Sequence, residues 1–291
     1  MSVVLLTGAT GFIGRHIHRD LVRRGHAVRV TVRPGGAGRL AVPVAADAIL
    51  ETDDIFARDA DWWSNACRGV DAVIHAAWYV EHGLYPDAAE NAACVKGSIA
   101  LAEGATRAGV PHVIGIGTCM EYRLPGEHLS VDAELDPQNF YAACKLATFH
   151  MMRAWFAQQD TAFSWARLFY LHGEGEHPDR LAAYLHRRLA AGEPAALSAG
   201  TQLRDFLDVT DAAAMIAGVV DTGQTGPINI CSGRPVTIRA FAERIADGYG
   251  RRDLLHFSAM PPRPSDPAAV VGVCNVEQSA GLLESLNESA A

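Results

Sequence analysis

A run of apolar and β-branched residues, Val3-Val4-Leu5-Leu6, leads directly into Thr7-Gly8-Ala9-Thr10-Gly11-Phe12-Ile13-Gly14, after which Ile13, Ile17, Leu21 and Val22 recur at helical spacing. This succession predicts a strand over 2–6, a tight turn, and a helix over 12–24. The glycine spacing constrains the fold more than any other feature of the chain. Gly8 permits the turn, Gly11 lets the backbone come close to a pyrophosphate, and Gly14 lets the helix pack against the strand. The helix N-terminus then offers its free N–H groups to the phosphates of a dinucleotide. A glycine-rich loop alone is weak evidence, but here it sits inside the required strand–turn–helix context.

Gly25-His26 ends the first helix, and 27–32 reads as a second strand that closes on Arg33-Pro34-Gly35-Gly36. The residue just past this strand normally lies beside the adenosine ribose, where an acid suits a free 2′-hydroxyl and an arginine suits a 2′-phosphate. Arg33 stands there with no acid, so NADP(H) is preferred over NAD(H), which stays possible. Strand-like and helix-like segments then alternate: a strand at 72–75, a helix over 87–108, a strand at 113–117, a helix over 139–158 and a strand at 163–169. Such alternation predicts an α/β fold, a Rossmann-type doubly wound parallel sheet. From about 170 the pattern becomes irregular, with Gly and Pro clusters at 173–178, 192–194, 223–227 and 261–267. The expected organisation is a dinucleotide-binding domain over 1–170 and a smaller substrate-binding lobe over 171–291, interleaved with the last sheet strands.

At 291 residues and 49% hydrophobic, the chain is long enough to bury a full core. Its formal charge of −8, without a basic run, argues against a nucleic-acid partner. Polar residues interrupt every apolar stretch well short of a membrane span, so a cytoplasmic protein with no membrane partner is expected. The cysteines at 67, 94, 119, 144, 231 and 274 form no C-x-x-C pair and read as reduced thiols. His172 and His177 flank a Gly/Glu loop, but no third ligand accompanies them and no metal is expected.

Tyr141-Ala-Ala-Cys-Lys145 places a phenol and an ammonium on one face of the helix predicted over 139–158. A cation beside the phenol would favour its ionised form and make Tyr141 usable in proton transfer near neutral pH.

Several stretches in order resemble the extended short-chain dehydrogenase/reductase family, in the branch that acts on nucleotide-linked sugars. Besides T-G-A-T-G-F-I-G and Y-A-A-C-K, they are Thr52-Asp53-Asp54-Ile55, Asp71-Ala72-Val73-Ile74-His75-Ala76-Ala77, Ile116-Gly117-Thr118 and Arg204-Asp205-Phe206-Leu207-Asp208-Val209. The resemblance implies that Thr118 hydrogen-bonds the reacting sugar oxygen and that Tyr141 exchanges a proton with it. Lys145 would hold the nicotinamide ribose and lower the Tyr141 pKa. It implies cofactor contacts from Gly8, Thr10, Gly11, Phe12, Ile13, Gly14, Arg33, Asp54, Ile55, Ala76, Ala77, Trp78, Tyr141, Lys145 and Leu168. Substrate contacts would come from Tyr79, Glu121 and Tyr170, with Arg204 and Arg263 at the nucleotide diphosphate. A homodimer through the helices near 87–108 and 139–158 is also implied.

Departures from the family pattern narrow the reaction. Sugar 4,6-dehydratases carry Thr-Asp-Glu where this chain has Thr118-Cys119-Met120, so the acid and base that eliminate water are missing. Cys94 replaces the asparagine of N-V-x-G-T, and Tyr170 stands where many epimerases have an asparagine. The reading preferred is an NADPH-dependent reductase of a 4-keto nucleotide-linked deoxysugar, with Tyr141 as proton donor. Three alternatives stay open: an epimerase with tightly bound NAD, a reductase of a non-nucleotide ketone, and a non-catalytic NADP(H)-binding regulator.

Overall fold

The structure, a computed structural model, describes residues 1–261 and 266–277. The chain opens with β1 (Val3–Thr7), β2 (Ala27–Val32), β3 (Ile49–Glu51), β4 (Ala72–His75) and β5 (His112–Thr118). Next come β6 (Gly126–Leu129), β7 (Ala162–Leu168), β8 (Tyr170–His172), β9 (Ala195–Ala196) and β10 (Leu203–Arg204). The last are β11 (Phe206–Asp208), β12 (Gly226–Ile230), β13 (Val236–Thr237), β14 (Leu255–His256) and β15 (Ala269–Gly272). Between them run helices α1 (Phe12–Arg23), α2 (Ala60–Ala66), α3 (Glu90–Arg107), α4 (Phe140–Phe156), α5 (Leu181–Ala190), α6 (Val209–Thr222) and α7 (Ile238–Asp247).

Seven strands form one parallel sheet of order β12-β7-β5-β4-β1-β2-β3. The chain proceeds outward from β1 through β2 and β3, then returns to β4 on the other side, and this reversal opens a crevice at the carboxyl ends of β1 and β4. The expected Rossmann-type sheet is therefore present. A smaller sheet of order β13-β10-β15-β6 and the pairs β11–β8 and β14–β9 complete the strand pairing among the described residues. β12, late in the chain, closes the large sheet, whereas β6, from the first half, belongs to the small one.

Alternation along the buried strands sorts the core into two layers. Val4 and Leu6 join Ile17, Leu21 and Ile216 under α1 and α6. Leu5 and Val73 face the opposite way, onto Trp63, Leu101 and Phe149 from α2, α3 and α4. α2 carries the Trp62-Trp63 pair, with Trp63 buried and packed on the sheet.

The helix expected over 87–108 begins three residues late. Pro86 lies in a short 3₁₀ turn at Tyr85–Asp87, and α3 starts only at Glu90. The region after 170 is also more regular than its Gly and Pro clusters imply, since α5, α6 and α7 span 10, 14 and 10 residues. The clusters at 173–178, 192–194 and 223–227 fall outside these helices.

β5 reads Ile114-Gly115-Ile116-Gly117, and its glycines are steric requirements. They sit opposite Trp165 and Arg167 of β7 in the register Gly115↔Trp165 and Gly117↔Arg167. A Cβ on Gly115 would lie 2.5 Å from the Trp165 ring, and one on Gly117 would lie 2.2 Å from its Nε1. The indole occupies the space two missing methyl groups leave. Gly115→Ala is therefore expected to destabilise the fold by about 1–3 kcal/mol through overpacking, read by thermal unfolding. A stability equal to wild type would show that the indole moves aside at little cost.

Candidate active site

The glycine turn is held in close approach to the loop after β4. Gly8 has φ of 73°, in the left-handed region that favours glycine, and a Cβ there would lie 2.8 Å from the Ala77 nitrogen. A Cβ on Gly14 would meet the Gly8 carbonyl oxygen at 2.0 Å, so α1 can start only against a bare backbone. Gly11 caps α1 without a side-chain hydrogen bond, and no acid lies in the first turn. Thr10, Phe12 and Ile13 flank this N-terminus, whose free N–H groups fit a pyrophosphate.

A buried polar chain fixes the other wall. The Ala77 N–H donates to Thr7 Oγ1 at 3.0 Å, and Thr7 Oγ1 lies 3.0 Å from His75 Nδ1. His75 Nε2 lies 2.9 Å from Ser98 Oγ, which itself donates to the Cys94 carbonyl at 2.8 Å. One assignment satisfies every member: Thr7 donates to Nδ1, and the Nε2–H donates to Ser98. Burial, with Lys145 nearby, lowers the His75 pKa to about 3, so the ring stays neutral. Thr7 and Ser98 are site-building residues that the sequence did not single out; the D-x-V-I-H motif was the available signal.

Thr118 ends β5, and Tyr141 lies in the first turn of α4, where Asn139 accepts the Ala142 N–H at 2.8 Å and sets the helix start. The Thr118 side chain stands beside the Tyr141 phenol and acts to lower its pKa. Tyr141 meets Tyr85 edge to face, with ring centroids 4.9 Å apart, and Trp78 at 6.4 Å. The Trp78 indole donates to Asn91 Oδ1 at 2.8 Å, and Asn91 Nδ2 donates to the Tyr85 and Ala88 carbonyls at 2.7 and 2.9 Å. Asn91 thus pins both aromatic residues over Tyr141. Neither Asn91 nor Tyr85 was read from the sequence, because their roles arise only when the Pro86 turn folds back.

Lys145 requires a correction. Helical spacing places it on the Tyr141 face, as expected, but its Nζ donates to the Ile116 carbonyl at 2.7 Å and stands 3.8 Å above the Trp78 ring. Burial lowers its pKa to about 7, with Glu121 and Cys94 opposing. The Tyr141 pKa is raised, not lowered: burial dominates, and Tyr85 and Glu121 add to it. Desolvation sets the direction of the shift, and the opposing influence comes from Thr118. The phenol is held protonated.

The remaining expected residues divide. Arg33 is exposed at the end of β2, and among the described residues no carboxylate pairs with it. Asp54 accepts the Phe56 N–H at 2.9 Å and starts the 3₁₀ turn Ile55–Ala57. Phe56 in turn packs edge-on against His75 and Trp78. Ala76 and Tyr79 are half-buried in the loop after β4, and Leu168 ends β7 beside Thr118. The Arg204 guanidinium is buried, pairs with Asp266 and lies 5.1 Å over the Tyr170 ring. Arg263 lies outside the described residues.

Glu121 is the second correction. It was expected at the sugar, yet it is fully buried and paired with Arg167 at 2.7 Å. Beside it, burial pushes the Cys119 thiol up to about 12, so Cys119 is neutral and cannot replace a dehydratase acid near pH 7.

Residues 4–231 match the model of the NAD dependent epimerase/dehydratase family. The chain belongs to that family. Within it, the chain is 22% identical over 278 residues to a dTDP-6-deoxy-L-talose 4-dehydrogenase (NAD(+)) of Aggregatibacter actinomycetemcomitans, covering 92% of this chain and 98% of that one. It is 29% identical over 201 residues to the ketoreductase CTB6 of Cercospora beticola, covering 59% of this chain and 55% of that one. Among solved structures, a UDP-N-acetylglucosamine 4-epimerase from Methanobrevibacter ruminantium M1 superposes with a TM-score of 0.81 at 20% identity, covering 98% of this chain and 91% of that one. The UDP-glucose 4-epimerase of Thermus thermophilus, solved with NAD, gives 0.77 at 23% identity, over 99% and 93%. At these identities the structural likeness establishes the shared fold. No helix among the described residues is long and apolar enough to cross a membrane.

The Lys145 environment has a consequence for stability. An unfolded lysine holds its proton to about pH 10.4, whereas buried Lys145 releases it near 7. Between those values the unfolded state binds more protons, so this group makes stability rise with pH. Lys145→Met is expected to be more stable than wild type by roughly 1–4 kcal/mol near pH 7, with the gain shrinking toward pH 10. Parallel denaturant melts at several pH values read this directly. A pH-independent difference would mean that Lys145 keeps an ordinary pKa.

Proposed function

We propose that this chain is an NADPH-dependent reductase of a 4-keto nucleotide-linked deoxysugar. The observation that carries the reading is the Tyr141 phenol, set beside Thr118 at the end of β5 and covered by Trp78 and Tyr85. A phenol at that place is protonated near pH 7 and positioned to deliver its proton to a carbonyl oxygen, the half of the chemistry that reduction needs, although burial alone makes it a weaker acid. The nicotinamide, when bound, supplies the hydride. Thr118 and Tyr141 together hold the carbonyl oxygen, and Tyr141 gives up its proton as the alcohol forms. Lys145, with a pKa near neutrality, stands one helical turn on from Tyr141 and can exchange a proton within this pocket.

The neutral Cys119 and the apolar Met120 count against dehydration, since neither supplies the acid or the base for loss of water. Support for a nucleotide-linked deoxysugar comes from the full-length similarity to a protein named for redox chemistry at position 4 of such a sugar. That relative carries NAD(+) in its name, so the cofactor preference here rests on Arg33 and the absence of an acid at the end of β2. A homodimer through α3 and α4, where Ile99 and Phe140 are exposed, belongs to the same reading.

A second reading, reduction of a ketone without a nucleotide, is favoured by Arg204. Its charge is already matched by Asp266, and Trp78, Tyr85 and Tyr170 supply an aromatic wall.

Purified protein is expected to oxidise NADPH saturably when given a dehydratase-generated 4-keto sugar nucleotide, and Tyr141→Phe to lose about 10²- to 10⁴-fold in kcat. Turnover only with ketones lacking a nucleotide would move the assignment to the second reading. Product formed by unsupplemented protein, with NAD retained through purification, would indicate an epimerase. Arg33→Ala is expected to weaken NADPH by roughly 1.5–3 kcal/mol, about ten- to a hundredfold, and NADH little. Equal weakening of both cofactors in a binding titration would remove the NADPH preference.

A further inference from the structure

Glu121 makes more hydrogen bonds than a stray buried carboxylate would. Its Oε1 accepts the Thr118 N–H at 2.9 Å and the Trp165 Nε1–H at 3.0 Å, while Oε2 accepts Arg167 Nε at 2.7 Å. Arg167 is equally enclosed. Its Nη1 donates to the Tyr122 hydroxyl at 3.2 Å, and Tyr122 donates to Asn229 Oδ1 at 2.7 Å. The guanidinium lies 4.9 Å from both the Tyr122 and Phe149 rings. Even the neighbouring backbone is shaped to this carboxylate, since a Cβ on Gly117 would lie 2.6 Å from Oε1.

Stability does not call for such a pair. Desolvating two charges offsets most of their attraction, and apolar replacements of equal volume are often as stable or more so. The position of the pair suggests another purpose. Thr118 and Glu121 form a reciprocal cap: the Thr118 hydroxyl accepts the Met120 N–H at 3.3 Å, and the carboxylate accepts the Thr118 N–H. Both bonds act on the residue whose side chain stands beside Tyr141.

We propose that Glu121, fixed by Arg167, is a positioning residue that holds the Thr118 main chain and thereby aims the Thr118 hydroxyl at the carbonyl oxygen Tyr141 protonates. This rests on the reductase reading only in taking that oxygen as the reacting one. The carboxylate also acts through its charge, raising the pKa of both Tyr141 and Lys145. Tyr141 is faced besides by Tyr85, Cys119 and Thr118, and Lys145 by Cys94.

The test compares two double variants with wild type, because Glu121→Leu alone would strand the Arg167 charge and is expected to unfold. E121L/R167M replaces the pair with apolar side chains and removes the acceptor; E121Q/R167M keeps an acceptor for the Thr118 N–H. Both are expected to fold and to bind NADPH as wild type does. E121L/R167M should lose about ten- to a hundredfold in kcat with little change in KM, and the glutamine variant should recover most of that loss. Equal kcat for wild type and E121L/R167M would overturn the proposal, as would failure of glutamine to rescue.

A substrate-free measurement separates this outcome from that of the reductase reading. Hydrogen exchange at the Thr118 amide should be slow in wild type and the glutamine variant and fast in the leucine variant. If wild type turns over no 4-keto sugar nucleotide, the reductase reading fails while exchange still decides the role of Glu121. Unchanged protection in E121L/R167M overturns that role on its own.

Discussion

The site depends on how closely the glycine turn can approach the loop after β4. Three backbones converge there: the turn after β1, the start of α1 and the segment Ala76–Ala77. Their spacing leaves no room for a Cβ at Gly8 or Gly14. The Thr7–His75–Ser98 chain locks that spacing from below, with each polar atom taking the one role its neighbours leave free. Because β4 also pairs with β5, the same lock sets where Thr118 stands relative to the open end of α1.

On this frame the catalytic candidates occupy a pocket that penalises charge. Lys145 is shifted toward neutrality and Tyr141 away from ionisation, and both shifts have desolvation as their main cause. The aromatic cover that causes it, Trp78 and Tyr85, is itself held by one buried amide, Asn91. A loop residue and a helix residue thus set the electrostatics of a third element, α4. The site is defined as much by what excludes water as by what carries the proton.

What could be read from the sequence was what is local. The glycine turn, the alternation of strands and helices, and the shared face of Tyr141 and Lys145 follow from spacing within one or two elements, and the structure contains all three. The sequence is ambiguous where a side chain's direction is decided by a distant strand. Glu121 follows the end of β5 and looks equally fit for the cleft or the interior; only Trp165 and Arg167, on β7, draw it inward. The sign of the Tyr141 shift was missed for a related reason. Helical spacing places the ammonium on the right face but says nothing of burial or of the Ile116 carbonyl that captures it. The helices after residue 170 were obscured by the Gly and Pro clusters between them, which mark their ends and not their absence.

The fit of Trp165 into the gap left by Gly115 and Gly117 also bears on how such a chain can diverge. An alanine at either glycine collides with the indole, and a smaller residue at 165 leaves an empty volume and takes the indole N–H away from Glu121. Three positions on two strands are therefore tied, so that a permissible path through sequence space must shrink the indole before it enlarges the glycines. That order of events runs in one direction only. Lineages that kept the tryptophan would be confined to glycine opposite it, however freely the surface around them drifts.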